Sequence, residues 1–460
     1  MRILQLVHGF PPHTWAGTEV YTLELSSALR RRGHDVTVVA RAPALAGEAE
    51  WNVSPDEFRG LRVLRVARSV EGLPIGESYK PRGARATFER ILDDEQPDIV
   101  HVQHLLHLSV EWLDVLHERG LPHVLTYNDY WTLCARVQLQ RTNGALCAEN
   151  QGLGCLWCLK NKAPVLVPLA RRVLPVFDPL VRRVLARLHP QRRLGELARD
   201  WIETAARPEE ILVRCARADL GLAPSRFLRD KLLASGAFEP ARLVHSDYGM
   251  RPPGELAPKL ARAQGTTLRV AYMGSLVPYK GLELLVRAFV ALRNEPIDLA
   301  IHGDHRPDTD AFHAHLSDLA QGTRVSFHGR FDNARLSEIY RSIDALVVPS
   351  TWYENSPLTI HEAFLHQTPV VASDIGGMRE LVTHERDGLH FKTGDPGALA
   401  AVLRRLAREP GLLDRLARGV PRLKTLEEDA AQMEARYVAL VEARPTPIIR
   451  PNSPRSHSRR

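Results

Sequence analysis

Residues 343–373 read IDALVVPSTWYENSPLTIHEAFLHQTPVVAS, and this stretch decides the fold. Its opening, Ile343–Pro349, is mostly aliphatic and β-branched, which predicts a buried strand of a parallel sheet. Ser356 is a favourable helix N-cap and a proline follows it, so a helix is expected over Pro357–Gln367. The Thr-Pro pair after this helix ends it, and VVAS begins the next strand. Strand, helix and strand in this order form one unit of a doubly wound α/β sheet.

Two glutamates, Glu354 and Glu362, belong to this unit. Glu354 is expected in the loop at the carboxyl edge of the sheet, beside a helix N-terminus, where ligands and phosphates bind. Glu362 is expected in the second turn of an apolar helix, where an acid is costly unless it is hydrogen-bonded. Carboxylates only accept hydrogen bonds, so the paired hydroxyls of a sugar or a ribose suit both residues. The alternative is that Glu354 is an ordinary loop acid and Glu362 a solvated helix acid.

Further segments accompany this unit in a defined order. In the second half of the chain they are MGSLVPYKGLELLVRAF (273–289), YENSPLTIHEAF (353–364), VVASDIGGMRELV (370–382) and DGLHFKTGD (387–395). In the first half they are LQLVHGFPPHTWAGTEVYTLELSSALRRRGHDVTVV (4–39), PDIVHVQH (97–104) and TYNDYW (126–131). As an ordered set over about residues 1–425, these segments resemble the retaining glycosyltransferases of family four.

The resemblance implies an α/β GT-B fold. In that fold two Rossmann-like, doubly wound parallel-sheet domains face a cleft, and a C-terminal helix crosses back over the first domain. The donor is expected to be a nucleotide sugar, UDP- or GDP-linked, and the acceptor a hydroxyl compound, with a lipid-linked acceptor among the candidates. The expected divisions are a first, acceptor-binding domain (1–248), a linker (249–267), a second, donor-binding domain (268–424), a crossing helix (425–443) and a disordered basic tail (444–460).

Composition restricts the function classes. The chain has 460 residues and a formal net charge of +7, which suits two α/β domains and an anionic partner such as a nucleotide, a lipid phosphate or a membrane surface. It contains no basic-aromatic nucleic-acid motif, so no nucleic-acid partner is expected. The opening MRILQLVHGF is too short for a signal peptide, and no window approaches 18 uninterrupted apolar residues. We expect a cytoplasmic enzyme, free or peripheral to the inner face of the membrane.

Lys280 ends a loop that leaves the predicted strand Leu268–Met273. Its ammonium can meet the donor diphosphate, although the family usually carries an arginine five positions earlier, where this chain has Ser275. The alternative is a solvated loop lysine. Gly17 and Thr18 open the first helix where the family places a glycine-rich phosphate turn; the alternative is an ordinary turn. The resemblance implies that the donor is bound by ten residues: Gly17, Thr18, Ser275, Lys280, Glu354, Asn355, Ser356, Pro357, Leu358 and Glu362.

Asn128 and Asp129 follow the predicted strand His123–Tyr127 and are expected to face the acceptor. The family usually has His-Asp here, and Asn128 cannot titrate; the alternative is that the pair only caps the next segment. His104 is expected to line the acceptor pocket, and His101 to be packed in the sheet. The expected catalytic residues are Glu354, Lys280 and Asp129, acting by positioning and charge stabilisation rather than by covalent catalysis.

Four of the five cysteines lie close together in the sequence, at Cys134, Cys147, Cys155 and Cys158. The last two form CLWC, a spacing that lets two thiolates bind one metal. We expect structural zinc in this loop (134–158), with redox chemistry or disulfides as alternatives; catalysis itself is expected to need no cofactor.

A basic insertion (160–210) follows the cysteines. Its residues 165–188 carry apolar side chains at helical spacing opposite arginines, interrupted by prolines, which suits either an anionic membrane or a cover over the domain. The resulting hypothesis is a metal-independent, retaining hexosyl-type glycosyltransferase of cell-envelope polysaccharide or glycolipid synthesis. The alternatives are a nucleotide-sugar 2-epimerase of the same fold and a catalytically silent donor-binding protein.

Overall fold

The computed structural model describes residues 1–147, 153–159, 192–252, 266–331 and 335–444. The predicted amphipathic segment 165–188, most of the predicted linker and nearly all of the predicted tail lie outside these ranges. Two β-sheets account for the strands of the described residues, one before the linker and one after it. The division of the chain into two α/β units follows from this.

The first sheet has the strand order β3-β4-β2-β1-β5-β6-β7-β8. All neighbouring strands are parallel except β3 and β4, which are antiparallel at the sheet edge. Its strands are β1 (Arg2–Val7), β2 (Asp35–Ala42), β3 (Val53–Phe58), β4 (Leu61–Ala67), β5 (Ile99–Val102), β6 (His123–Thr126), β7 (Leu220–Ala223) and β8 (Leu243–His245).

The second sheet is entirely parallel, with the order β11-β10-β9-β12-β13-β14. Its strands are β9 (Leu268–Met273), β10 (Ile297–His302), β11 (Val325–Gly329), β12 (Ala345–Val348), β13 (Val370–Ser373) and β14 (Gly388–Phe391). In both sheets, successive strands are first added on one side of the first strand and then on its other side. This change of side lies between β1 and β5 in the first sheet and between β9 and β12 in the second. Ligands of doubly wound sheets bind outside the carboxyl ends of the strands at such a switch point.

Helices cover both faces of each sheet. Those of the first half are α1 (Gly17–Arg31), α2 (Ala84–Glu95), α3 (Glu111–Glu118), α4 (Leu153–Leu159), α5 (Arg192–Cys215) and α6 (Arg226–Ala234). Those of the second half are α7 (Leu282–Ala291), α8 (Ala311–Ala320), α9 (Leu336–Ser342), α10 (Leu358–Leu365), α11 (Gly376–Leu381), α12 (Pro396–Arg408), α13 (Leu412–Gly419) and α14 (Leu426–Glu442). Successive strand residues alternate between two cores, as Ile3 and Leu4 do in β1, because strand side chains point alternately to opposite faces.

The last helix, α14, packs against α1 and therefore crosses back onto the first domain, as expected. Thr425 caps it in a reciprocal capping box with Glu428. The buried Asp429 accepts hydrogen bonds from the Tyr21 hydroxyl, at 2.8 Å, and from the Lys424 ammonium, at 2.7 Å. His101 of β5 is fully buried and bonds the Tyr437 hydroxyl of α14, which places this histidine in the packed sheet.

The deciding stretch folds as a strand, a loop and a helix, and both elements are shorter than predicted. The strand is Ala345–Val348 rather than Ile343–Pro349, and the helix ends at Leu365 rather than Gln367. The helix is Leu358–Leu365 and its N-cap position is Pro357, not Ser356. Ser356 fails as a cap because its hydroxyl donates to Asp247 of the first domain, at 2.8 Å, and bonds the His361 ring, at 2.7 Å. A contact between the domains therefore shifts the helix start by one residue from the position that local propensity favours.

Candidate active site

Glu354 is held at the switch point of the second sheet, in the loop 350–356 that follows β12 (the Glu354 loop). Its side chain is nearly buried, and its Oε1 accepts hydrogen bonds from three donors. These are the Lys280 ammonium at 2.7 Å, the Ser350 hydroxyl at 2.7 Å and the Trp352 indole N–H at 2.9 Å. The Lys280 ammonium also lies 5.5 Å from the centre of the Trp352 ring. Two residues that the sequence assigned to the donor thus form one ion pair.

Two glycines allow this arrangement. Gly281, directly after Lys280, has φ +77°, and a Cβ there would lie 1.9 Å from the Pro349 carbonyl oxygen. Gly377, at the start of α11, would place a Cβ 1.5 Å from the Asn355 carbonyl oxygen. Its amide already donates to the Glu354 carbonyl, at 2.8 Å, so this amide is used inside the protein. Both glycines permit a backbone approach that any side chain would prevent.

Asn355 connects the two domains. Its side-chain oxygen accepts from the Ser225 hydroxyl at 2.6 Å, and its amide nitrogen donates to the carbonyls of Tyr127, at 3.2 Å, and Asn128, at 3.0 Å. Because the side chain is buried and bonded on both ends, it positions the Glu354 loop against the carboxyl end of β6. Contact of Asn355, Ser356, Pro357 or Leu358 with a donor stays a prediction.

Glu362 lies in α10 beside Tyr340, whose hydroxyl donates to the Glu362 Oε2 at 3.3 Å. Burial raises the pKa of the Glu362 carboxyl to about 7, and the Tyr340 hydrogen bond opposes this increase only in part. A carboxyl held this way gains from any ligand that donates hydrogen bonds to it. The raised pKa agrees with the sequence-based reason for suspecting Glu362, which was that an acid on an apolar helix is costly.

The N-termini of α1 and α10 meet across the cleft. A Cβ on Gly17 would lie 3.6 Å from the Leu358 Cδ1, so these two helix starts are in contact. Within the described residues, no side chain caps the N-terminus of α1, α7 or α10. Uncapped N-termini leave backbone N–H groups and a partial positive charge for an anion. Thr18 lies in the first turn of α1, and Ser275 is exposed in the loop after β9.

At the switch point of the first sheet, His104 and Asp129 form a hydrogen-bonded pair. The Leu106 amide donates to the His104 Nδ1 at 3.0 Å, so the proton resides on Nε2 and is donated to the Asp129 Oδ2 at 3.0 Å. The other oxygen of Asp129 accepts from the Trp131 amide at 2.8 Å. Asn128 is bonded through both ends of its amide, to the Gln103 carbonyl at 2.7 Å and the Tyr248 hydroxyl at 2.6 Å.

Three neighbouring residues were missed by sequence reasoning, namely His8, Glu19 and Arg41. The His8 ring lies 4.4 Å from that of His104, and its Nε2 is 3.7 Å from the Glu19 Oε1. Burial, with positive neighbours, lowers the pKa of His8 well below its usual value, so this ring is neutral at pH 7. The His8 Nδ1 and the Glu19 Oε2 are buried without a partner in the structure.

At the carboxyl edge of a parallel sheet, buried polar atoms without a protein partner are positions that a bound ligand can satisfy. The signal for His8 was available in the sequence, because it directly follows the first strand at the expected carboxyl edge. Arg41 lies nearby, where its guanidinium donates to the carbonyls of His8 and Arg68, each at 3.2 Å.

In the part of the chain that the structure describes, which includes all five cysteines, no cysteine forms a disulfide. Among the described residues, no group of three or more His, Cys, Asp or Glu side chains is arranged to hold a metal ion. The zinc site therefore stays a prediction. In the described ranges no helix has the length and apolar character needed to cross a membrane.

Comparison with known proteins gives the family. Residues 15–246 match the family described as Glycosyltransferase Family 4, and residues 267–409 match Glycosyl transferases group 1. A D-inositol 3-phosphate glycosyltransferase of Xylanimonas cellulosilytica is 30% identical, and the alignment covers 93% of each chain. The chain belongs to the family-four glycosyltransferases.

Solved structures show the same fold for this family-four glycosyltransferase. Sucrose-phosphate synthase from Thermosynechococcus elongatus superposes with a TM-score of 0.63 at 20% identity, covering 96% of this chain and all of the other. Anabaena HepE, solved in complex with UDP and glucose, superposes with a TM-score of 0.59 at 15% identity, covering 95% of this chain and all of the other. Two Rossmann-like domains in the GT-B arrangement are thereby confirmed.

Proposed function

We propose that the protein transfers a hexose from a nucleotide-diphosphate donor to a hydroxyl acceptor, with retention of anomeric configuration and without a catalytic metal. The observation that carries this proposal is the Lys280–Glu354 pair at 2.7 Å, placed at the switch point of the second sheet. A cation and a hydrogen-bond acceptor adjoin there, as the diphosphate and the hydroxyls of a nucleotide sugar require.

On binding, the donor would replace the contact between Lys280 and Glu354 with contacts of its own to each of them. Its diphosphate carries more negative charge than one carboxylate and can take the Lys280 ammonium, with the uncapped starts of α1 and α10 adding backbone N–H groups. The Glu354 Oε1 then loses one of its three donors and can accept from sugar hydroxyls instead. Glu362 would accept from the ribose hydroxyls, which relieves the cost of its burial.

The acceptor would bind at the switch point of the first sheet. His8, neutral and with a free Nδ1, and the orphaned oxygen of Glu19 offer positions for acceptor hydroxyls. Asp129 orients His104 and can stabilise positive charge on it. As the bond between the sugar and the diphosphate breaks and the acceptor oxygen bonds the sugar, negative charge grows on the leaving diphosphate. Lys280 stabilises this charge, and the diphosphate can take the acceptor proton on the same face of the sugar.

The acceptor class is supported by a relative that aligns over 93% of the chain and is named for D-inositol 3-phosphate. We include this compound in the acceptor screen, beside free inositol and lipid-linked sugars from the cell envelope. UDP is the first donor nucleotide to test, because HepE was solved with it, and GDP and ADP sugars follow.

The test is a matrix of nucleotide sugars and acceptors, read out as nucleoside diphosphate release and product formed, with the anomeric configuration determined by NMR. Acceptor-dependent release that survives EDTA, with the configuration of the donor kept, is the expected result. Conversion of the donor sugar without any acceptor would instead identify an epimerase. Saturable donor binding with no turnover over the whole matrix would identify a silent donor-binding protein.

A further inference from the structure

A residue of the second domain caps a helix of the first. The first two amides of α6, those of Arg226 and Phe227, donate to the two oxygens of the Glu380 carboxylate in α11, each at 2.9 Å. The local cap of α6, Ser225, serves only the third residue, because its hydroxyl oxygen accepts from the Leu228 amide at 3.1 Å. Free amides at a helix N-terminus carry a partial positive charge. The Glu380 carboxylate is therefore a well-matched partner for the start of α6, and it comes from the other domain.

The start of α6 meets the second domain at two further points. The Ser225 hydroxyl donates its proton to the side-chain oxygen of Asn355 at 2.6 Å. The Phe227 ring lies 5.0 Å from the Tyr353 ring, so this residue contacts the second domain through its amide and through its side chain. Asn355 and Tyr353 belong to the Glu354 loop. The start of α6 thus links Glu380 to the loop that carries Glu354.

The Glu354 loop rests largely on the first domain. The loop residues that contact that domain are Thr351, Trp352, Tyr353, Asn355 and Ser356. Trp352 packs against the first-domain core, where its ring lies 6.5 Å from that of Tyr130. Its indole N–H donates to the Glu354 Oε1 at 2.9 Å. Because one side chain makes both contacts, the position of the Glu354 carboxylate depends on how the two domains are docked.

We propose that Glu380 is a positioning residue for glycosyl transfer: by capping α6, it holds the domains in the arrangement in which the first domain sets the Glu354 loop. This inference rests on the proposed role of Glu354 in donor binding. Glu354 is nearly buried in this arrangement, so the domains must part for a nucleotide sugar to reach it. Motion between two domains of one chain is the ordinary expectation. Glu380 suits a contact that forms and breaks, because water can satisfy its carboxylate and the α6 amides while the domains are apart.

The first experiment removes one of the two amides and leaves Glu380 in place. Arg226 occupies the first helical position, where proline is favoured. Ser225 before it has φ −130° and ψ 152°, the extended conformation that a residue before proline adopts. Arg226→Pro should therefore keep α6 and delete one amide donor to Glu380. Arg226→Met is the matched control, because it loses the same exposed guanidinium and keeps the amide.

Hydrogen–deuterium exchange reads the domain contact without any turnover. In the ligand-free protein, Arg226→Pro should speed the exchange of amides in residues 350–356 by about tenfold, the effect of losing one hydrogen bond to a charged group. Glu380→Gln should do the same, because glutamine keeps the shape of the side chain but turns an N–H donor towards one of the two amides. Arg226→Met should exchange as the wild type does. Wild-type exchange in both Arg226→Pro and Glu380→Gln would overturn the proposal.

Turnover separates positioning from a merely structural contact. With donor and acceptor both saturating, Arg226→Pro and Glu380→Gln should transfer the sugar about tenfold more slowly than Arg226→Met, because saturation fills the sites without restoring the docked arrangement. Faster exchange with an unchanged saturated rate would show that Glu380 only stabilises the interface, and would overturn its positioning role. If the wild type transfers no sugar to any acceptor, the proposed function fails, whereas the exchange comparison still decides whether Glu380 docks the domains.

Discussion

Replacing Lys280 with methionine separates its structural role from its proposed catalytic one. In the structure its ammonium bonds a carboxylate whose side chain is only 7% exposed, while the lysine side chain is 27% exposed. An exposed ion pair contributes at most about 1 kcal/mol, and losing one partner of a fully buried pair costs about 3–5 kcal/mol. The Lys280–Glu354 pair lies between these limits. We therefore expect Lys280→Met to destabilise the ligand-free protein by about 2 kcal/mol.

The second variant removes the unpaired charge. Glu354→Gln in the Lys280→Met background leaves a neutral amide that can still accept from Ser350 and Trp352. The double variant should therefore regain most of the lost stability, but not the lost activity. For a domain of this size, about 2 kcal/mol corresponds to about 4–8 °C in the thermal midpoint. Lys231→Met is the matched control, because Lys231 packs on the nearby Tyr353 ring without contacting Glu354.

Activity is measured as nucleoside diphosphate release at saturating donor. Because charge on the diphosphate grows as the glycosidic bond breaks, Lys280→Met should lower the saturated rate by about 10²-fold or more. Lys280→Arg should recover part of it, and so should Ser275→Arg in the Lys280→Met background, since position 275 is exposed in the same loop. An unchanged saturated rate with weaker donor affinity would refute the catalytic role. A double variant as unstable as Lys280→Met would refute the structural coupling.

Three further predictions concern residues around this pair. Glu362→Gln should raise the thermal midpoint at pH 8 but not at pH 5, and should weaken UDP binding in a calorimetric titration; a midpoint shift that is equal at both pH values would contradict the burial argument. Asn355→Ala leaves the Ser225 hydroxyl and two carbonyls unmatched, so it should lower the midpoint by the equivalent of about 1–3 kcal/mol; a change below 1 °C would exclude an energetic tie. Asn128→His introduces the family's usual residue but should lower both stability and activity, because the Tyr248 hydrogen bond is lost. A more active variant would show instead that histidine contacts the acceptor better than asparagine does at this position.

The strands that sequence reasoning located correctly are those with uninterrupted apolar runs. Leu268–Met273 was predicted with its observed limits, because central parallel strands are buried on both faces. β3, Val53–Phe58, was not predicted: it is a largely polar edge strand with Pro55 inside, a composition typical of edges and uninformative about pairing. Strand β14, Gly388–Phe391, was not predicted either, because its sequence GLHF lacks the β-branched run that marks the central strands. Tertiary pairing decided both cases.

The site shows the same division between local and long-range information. Glu354, Lys280 and Asp129 were chosen because each follows a strand at the carboxyl edge, and the structure places each there. Their contacts could not be predicted: the Lys280–Glu354 bond spans 74 residues of sequence. The missed residues His8 and Glu19 also lie at a carboxyl edge. His8 could have been chosen by the same rule, whereas Glu19 becomes visible only when burial shows that its Oε2 has no partner.

Glu362 is the residue at which stability and function oppose each other. Its folded pKa, about 7, exceeds the usual value of 4.5, so the folded protein binds the proton more tightly than the unfolded chain does. The favourable contribution of the protonated carboxyl is complete below about pH 4.5 and is lost as the pH rises through about 7. At pH 8 the charged carboxylate therefore costs up to about 3 kcal/mol, which glutamine would avoid. Hydrogen bonds from ribose hydroxyls would stabilise the charged form, so nucleotide binding should lower this pKa and release a proton near pH 7. The cost of the charged Glu362 carboxylate would thus be removed when the nucleotide binds. Nucleotide binding therefore gives a physical reason for a glutamate here, whereas the packing of an apolar helix gives none.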